Sequence, residues 1–549
     1  MFKKVPWLIN RLRMMPPGEI PHRVVRTLVQ VIERIRIARG WFPTPETESF
    51  VARSLFGTNL AIENVWRQFF SSDEEAINAA LAGQVTFFGQ AFQVGVIPNW
   101  HQDPDTGRRA PLTYGKTIDH RDEAVVGNIK TLWELSRHQH LIPLAAHYAV
   151  SGDPRCRKQI ADQLDDWISN NPFGLGIHWN SSLEVALRGI AWATIHSLIA
   201  LRDGPSGLLA ASANQIAMRA AIFQHGYFIR RHLSRYSSAN NHLIGELVGL
   251  WCLTSVFEFG SQTADWRAYA KQELEREALL QVHADGVLKE QAIHYQLEVM
   301  EYLLFSICVG NAMDLPLASC VTERLSTMVD FIRALRPDGG RLPQIGDSDE
   351  GTVTRFRLGA LEEPELEVMA AIEHVFNSRD VPVFEKAFWY RQMVSRADAL
   401  PPLPRASLYN EATSATLFPE GGYSVLDCED LKLVFDAGPL GYPSIAAHGH
   451  ADALSFCLAW RDFWWIVDPG TYSYHGDQTF RDYFKGTTAH STATVDEQNQ
   501  SKSGGPFLWT RHARARLVGA SVSDDGTLCT EGYHDGYEVL GVRHRRRID

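Results

Sequence analysis

The sequence predicts an α+β protein built in two unlike parts: an incomplete (α/α) helical toroid, or irregular stack of helical hairpins, followed by an antiparallel β-sandwich. Two observations predict it. From about residue 121 to 400, apolar residues recur at i, i+3 and i+4, as in AVVGNIKTLWELSRHQHL, RCRKQIADQLDDWI, SSLEVALRGIAWATIHSLIAL and NNHLIGELVGLWCLTSVFEF. After the Pro-containing stretch ALPPLPRASLYNEATS (399–414) the period changes to short β-branched and aromatic runs cut by Gly, Asp and Asn turns. The domain boundaries read from this are 1–45 for a basic N-terminal segment, 46–400 for the toroid and 401–549 for the sandwich.

In chain order, IPHRVVRTLVQVIERIRIARG (20–40) alternates apolar and basic residues at helical spacing. The first forty residues carry nine Lys or Arg against Glu19 and Glu33, whereas the whole chain has a net charge of −11. Such a segment suits an anionic membrane surface or a partner, or packs as a solvated helix on the main domain. QVTFFGQAFQVGVIPNW (84–100) reads as a small hairpin. The helices that follow are separated by SGDP, NNPFG, RDGPSG and RPDGG, which are stop and cap signals for antiparallel helix pairs. In the C-terminal part, TLFPEGGYSVLDCEDLKLVFDAG, ALSFCLAWRDFWWIVDPG, HSTATVDEQNQ and ARLVGASVSDDGTLCTEGY read as strands. VRHRRRID offers no evident closing strand pair, so the sandwich is expected to be truncated at its C-terminal end or to leave an open edge.

The composition, 45% hydrophobic and 21% charged over 549 residues, belongs to an ordinary globular protein with ample core. The negative balance argues against nucleic acid as a partner. Seven cysteines form no CxxC pair and sit mostly among apolar neighbours, as small core residues do. MFKKVPWLINRLRMMPPG is a poor secretory signal, since Pro6, Asn10 and Arg11 break its apolar stretch. By sequence the expected location is cytoplasmic or associated with an inner membrane, although no uninterrupted apolar run is long enough to span one.

The residues that carry chemistry begin with a doublet in AAHGHADALSF (446–456). If this stretch is a strand, His448 and His450 point to one face. Asp468 follows at a strand end and His490 at the start of another strand, so His450, Asp468 and His490 offer two imidazoles and a carboxylate, a donor set that suits zinc. The bland alternative is a scatter of turn and edge residues. In the helical part, RYSSANNHLIGE places Asn240, Asn241, His242 and Glu246 at a helix start, with Ser237 or Ser238 as a candidate cap. Asn has poor helix propensity, and capping explains one Asn but not the pair with the histidine. Glu290, His294 and Tyr295 open another helix, where the tyrosine is as readily a core aromatic. Glu184 and Arg188 are spaced for an i, i+4 ion pair. Asp347 and Asp349 lie in a turn as caps or as a carboxylate pair. β-Elimination at a uronic acid uses an amide or imidazole to neutralise the carboxylate, a base for the α-proton and an acid for the leaving oxygen, and Asn, His and Tyr fit those tasks.

The chain resembles the heparinase II/III superfamily of polysaccharide lyases from about residue 85 to its end. The resemblance is carried by SSANNHL (237–243), EQAIHYQ (290–296), PQIGDSDEG (343–351), AAHGHADALSF, VDPGTYSY (467–474) and RDYFKGTTAHSTATVD (481–496). It implies a toroid and sandwich cutting a uronate-containing anionic polysaccharide, of glycosaminoglycan or bacterial exopolysaccharide type. By resemblance Asn241, with His242 beside it, would neutralise the carboxylate. Tyr295 would be proton donor, and base for one stereochemistry; His448 would be the other base. His450, Asp468 and His490 would hold a structural zinc, with no organic cofactor, and Arg188, Gln291, Arg481 and Tyr483 would bind substrate. Relatives are commonly periplasmic or in the cell envelope. Two competing expectations are a toroid glycoside hydrolase using Asp347 and Asp349, and a non-catalytic polysaccharide-binding or assembly factor held at the membrane by residues 1–40.

Overall fold

The computed structural model describes residues 11–549 except 13, 47–48, 58–73, 350, 360–362, 378–383, 395–399, 404–412, 443–444 and 475–476, so most of the expected linker and the first ten residues lie outside the described residues. The helices are α1 (Glu19–Ala38), α2 (Glu74–Leu81), α3 (Glu123–Val126), α4 (Ile129–Ser136), α5 (Leu141–Ser151), α6 (Pro154–Asn170), α7 (Ser182–Asp203), α8 (Gly207–Ala211), α9 (Gln215–Arg231), α10 (Asn241–Val256), α11 (Ser261–Gln281), α12 (Ile293–Ala312), α13 (Ser319–Leu335), α14 (Pro364–Asn377), α15 (Glu385–Val394) and α16 (Gln478–Phe484). Short pairs β1 (Val51–Ala52) with β4 (Phe257–Glu258), and β2 (Gln84–Phe87) with β3 (Gln90–Gln93), decorate this region.

The helices form the expected incomplete toroid. α7 packs against α5, α8, α9 and α10, and α10 against α11 and α12, while α12 carries α13, α14 and α15. α7 is buried along almost its whole length and is long enough to cross a membrane by length and composition, yet 94% of its apolar window is buried inside the protein. It is the core helix. Start signals act where the residue types place them: Asp153 and Asn214 accept a backbone N–H of the first turn of α6 and α9.

The C-terminal part holds a five-stranded antiparallel sheet in sequence order, β5 (Thr413–Phe418), β6 (Tyr423–Cys428), β7 (Leu431–Asp436), β8 (Phe456–Trp460) and β9 (Phe463–Ile466). Next come the hairpin β10 (Lys502–Gly505) and β11 (Leu508–Arg511), then a three-stranded sheet of β12 (Ala515–Val522), β13 (Leu528–His534) and β14 (His544–Ile548). The sandwich forms where Leu426, Leu433, Phe435 and Leu454 meet Leu517, Ala520, Leu528 and Ile548. The opposite face of the large sheet, with Tyr423, Val425 and Val434, joins the helical core, and Phe331 of α13 sits 4.9 Å from Phe418. Residues Tyr423 to Leu426 of β6 are buried on both faces, so this stretch does not alternate between core and solvent.

Three strand expectations change. HSTATVDEQNQ (490–500) forms bends and a turn, with only an isolated bridge between Val495 and Gln498. AHGHADALS is irregular, because β8 begins only at Phe456. The basic run HRRRI, read as ending without a strand partner, pairs with β13, and Arg545 there forms an ion pair with Glu531. Charged residues are at home on such an edge strand.

Candidate active site

A cleft of about 630 Å³ runs between the helical ends and the loops of the large sheet. That lies within the size range of ligand-binding clefts. Its lining includes Lys116, Arg121, Lys130, Asn241, His242, Tyr295, Glu298, His448 and Tyr474.

On the helical wall, Asn240 caps α10: its side chain accepts the His242 N–H at 3.3 Å. Ser237, read as a candidate cap, instead donates to Glu19 of α1 at 2.6 Å. With Asn240 as cap, Asn241 stands at the first helical position, and its amide donates to both oxygens of Glu290 at 3.1 and 2.9 Å while its backbone N–H adds a bond at 2.8 Å. Glu290 is buried, and burial pushes its carboxyl up, opposed by His448 and the Asn241 bonds. His242 lines the cleft beside this pair, with burial pushing its ring down to about 4, so it is neutral at pH 7.

The loop between β7 and β8 brings His448 against Tyr295 of α12, with ring centroids 4.0 Å apart. Gly449 is required between the two histidines, since a Cβ there would stand 1.4 Å from the Leu440 carbonyl oxygen. The backbone is strained on either side, with φ of +56° at Gln291 and +51° at Ala446. His448 Nδ1 lies 3.1 Å from Asp347 Oδ2, and its Nε2 is 3.7 Å from Glu290. Tyr295 shares a 3.0 Å hydroxyl contact with Tyr474. Burial first, then Tyr474 and the nearby carboxylates, hold the Tyr295 phenol well above its ordinary range.

Asp347 is the hub. One oxygen takes His450 Nε2 and the Thr471 hydroxyl, both at 3.0 Å; the other takes His448; Arg481 bonds to both, at 2.8 Å for its Nη2. Burial works against ionisation, but the bonds from both histidines and the Arg481 charge outweigh it and hold the carboxyl well below its usual range. An ionised Asp347 takes the Nδ1 proton of His448 and leaves Nε2 as the acceptor, an assignment made from the hydrogen bonds.

Behind His448, His450, Asp468 and His490 offer ligand atoms within 4.8 Å of one another. His490 Nδ1 is bonded to Asp468 Oδ2 at 2.7 Å. Among the described residues, His450 Nδ1 and His490 Nε2 are buried without a hydrogen-bond partner, which is costly for imidazole nitrogens unless something binds them. Two imidazoles and a carboxylate fit a zinc ion. A second group, His147, Asp153 and Cys156, fits less well, because the Asp153 carboxylate is engaged by Arg155 at 2.7 Å and caps α6.

The expected substrate residues are mostly placed elsewhere. Arg188 is wholly buried in the helical core, bonding His225 at 2.8 Å and the carbonyls of Ser136 and His178, with its guanidinium over Trp167. It does not pair with Glu184, which Arg137 holds at 2.7 and 2.9 Å. Gln291 is buried at the seam between the two parts, donating to the Gly421 carbonyl. Arg481 is spent on Asp347 and the Pro506 carbonyl. Tyr483 is half exposed against Phe484, outside the cleft lining. A hydrolytic carboxylate pair fails too, because Asp347 is sealed in its bonds and Asp349 pairs with Lys130 at 3.0 Å.

Sequence reasoning assigned no role to Glu290, Tyr474 or Glu298, and read Asp347 only as a cap or half of a carboxylate pair. Glu290, Tyr474 and Asp347 stood in the quoted motifs, so the signal was present. Glu298 stands three residues after Tyr295 on α12, and burial with the Asp349 charge pushes it up to about 8.

Comparison with known proteins gives two family matches: Heparinase II/III N-terminus over residues 71–359, and Heparinase II/III-like, C-terminal over residues 410–549. Similar sequences include a heparin-sulfate lyase of Bacteroides thetaiotaomicron, 22% identical over 415 residues, covering 70% of this chain and 54% of that protein. Another, from Bacteroides stercoris, is 27% identical over 37% of this chain and 32% of its own length. The chain thus spans about half, or less, of the curated relatives it matches. Among solved structures, a heparinase III superposes with a TM-score of 0.61 at 19% identity, covering 90% of this chain and 71% of that one. A heparan sulfate lyase from Pedobacter heparinus gives 0.53 at 18%, covering 95% and 71%.

Proposed function

The chain belongs to the heparinase II/III family, and from that premise we propose that it is a polysaccharide lyase. It would cut a uronate-containing anionic polysaccharide by β-elimination, leaving a 4,5-unsaturated uronate at the new end. One observation carries this reading: an amide, an oriented imidazole and a protonated phenol converge on one wall of a long cleft, each held by its own partner.

Asn241 neutralises the uronate carboxylate, and Glu290 fixes its amide. A carboxyl pushed up by burial also accommodates a neighbouring anion better than an ordinary glutamate does. His448, with Nδ1–H turned to Asp347, takes the α-proton on Nε2. Tyr295 keeps its proton at neutral pH and gives it to the leaving oxygen. Neutral His242 adds a further polar contact on this wall. His450, Asp468 and His490 would hold zinc, which would fix the loop behind His448 and act structurally.

Heparin-sulfate lyases among the relatives favour a glycosaminoglycan-like polymer, and a bacterial exopolysaccharide shares the same uronate chemistry. The test is a panel of heparan sulfate, hyaluronan, chondroitin, alginate and a bacterial uronate exopolysaccharide, followed by ultraviolet absorbance of the conjugated product. We expect a rise on at least one polymer that disappears in Tyr295→Phe, with circular dichroism unchanged. Saturated products, or full activity in Tyr295→Phe, would overturn the reading. No rise on any polymer would favour a binding or assembly factor.

A further inference from the structure

Helix α1 is built inside out. Its protein-facing side carries Glu19, His22, Arg23, Arg26, Gln30 and Glu33, with Ile37 its one fully buried aliphatic residue. Glu19 accepts bonds from Ser237 at 2.6 Å and Arg23 at 2.7 Å, and Glu33 from Tyr114 at 3.0 Å and His232 at 3.1 Å. Arg26 and Gln30 reach the cleft lining. The opposite side carries Ile20, Val24, Val25, Leu28, Val31, Ile32 and Ile35, each between 46% and 59% exposed. At 100° per residue these seven fill an arc of about 140°. Trp41 and Phe42, also exposed, follow the helix.

A continuous aliphatic stripe of this size is costly in water and marks a contact surface. Charge identifies what covers it. Both acids of the helix are turned inward into ion pairs, Glu19 with Arg23 and Glu33 with Arg231, whereas Arg34, Arg36 and Arg39 remain exposed around the stripe. A second copy laid along this face would set arginine against arginine, and the arc is wider than the narrow seam of a helical pair. An anionic bilayer satisfies both features, with aliphatic side chains in the acyl boundary, arginines at the headgroups and Trp41 at the interface. The strongly negative remainder of the chain would be repelled, which fixes the orientation.

We propose that α1 docks this protein on an anionic lipid surface through Ile20, Val24, Val25, Leu28, Val31, Ile32 and Ile35, while its reverse side builds one wall of the cleft. One helix then separates lipid from bound polymer, about 10 Å of protein. The surface requires no catalysis, so its failure is separable from failure of the lyase reading.

The test is co-sedimentation of the full chain with phosphatidylcholine vesicles, with and without phosphatidylglycerol, at low and high salt. We expect binding only to the anionic vesicles, weakened by salt. Leu28→Ser/Ile32→Ser and Arg34→Glu/Arg36→Glu should each bind at least about tenfold more weakly, with unchanged circular dichroism and thermal midpoint. Equal binding to neutral vesicles would overturn the anionic assignment. Absence of vesicle binding would overturn the docking itself: a dimer dispersed by Leu28→Ser/Ile32→Ser would then identify a second copy as the cover, and a monomer would leave lipid excluded.

Discussion

His448 and His450 are two residues apart and share Asp347, yet they belong to different environments. His448 reaches the cleft beside Tyr295, with Glu290 on its far nitrogen at 3.7 Å. His450 turns away, its ring centroid 5.3 Å from that of His490 and fully enclosed. On the proposed reading, the same residue type would serve a site that exchanges protons with a ligand and one that holds its donors still. What separates them is access, since the same carboxylate orients both.

The sharpest way to break this comparison is Asp347→Asn, which touches both sides. We expect turnover to fall about 10³-fold and stability by about 3–5 kcal/mol, as when one partner of a buried charge cluster is removed. Steady-state assays with thermal melts check this, and an active, stable variant would show that Asp347 is not the shared support. Glu290→Gln isolates the cleft side. Turnover should drop about 10²-fold through misplacement of Asn241, with the melting temperature nearly unchanged. His490→Ala isolates the inner side. Metal analysis should fall from about one zinc per chain to none and the melting temperature should drop by several degrees, with less than about tenfold loss of turnover below the transition. If the last two variants gave the same pattern, the two environments would be one.

The smallest effect concerns Glu298. Its folded carboxyl is raised from 4.5 to about 8, so between those values the folded state holds a proton that the unfolded chain releases. The stability it contributes is complete below pH 4.5 and is lost as pH rises through about 8. Glu298→Gln should remove one proton's worth of that decline, read from melting temperatures across pH 5 to 9.

Legibility followed how local each signal was. The helices from Glu123 to Val394 and the meander β5 to β9 were readable because their periods sit in consecutive residues. The hairpin β10–β11, α16 and β14 were not, since GPF, a short helix behind Asp477 and an arginine run carry weak or contrary local signals. Among the site residues, Asn241, His242, Tyr295 and His448 line one cleft as expected. Arg188 misled, because an arginine four residues after a glutamate looks like a helix ion pair, whereas its partners, His225 and the carbonyls of Ser136 and His178, lie outside α7.

The sequence by itself determined the two-part architecture, the residue types available for elimination, and the His450, Asp468 and His490 donor set, because period, composition and donor chemistry are properties of the residues. Tertiary structure alone decided that Asp347 is a buried support and not a hydrolytic acid, that Arg188 and Arg481 are spent inside the protein, and that α1 turns its acids inward. Each of these depends on which distant groups become neighbours and how much water they lose. Hydrogen bonding and burial over such separations are fixed only when the chain has folded.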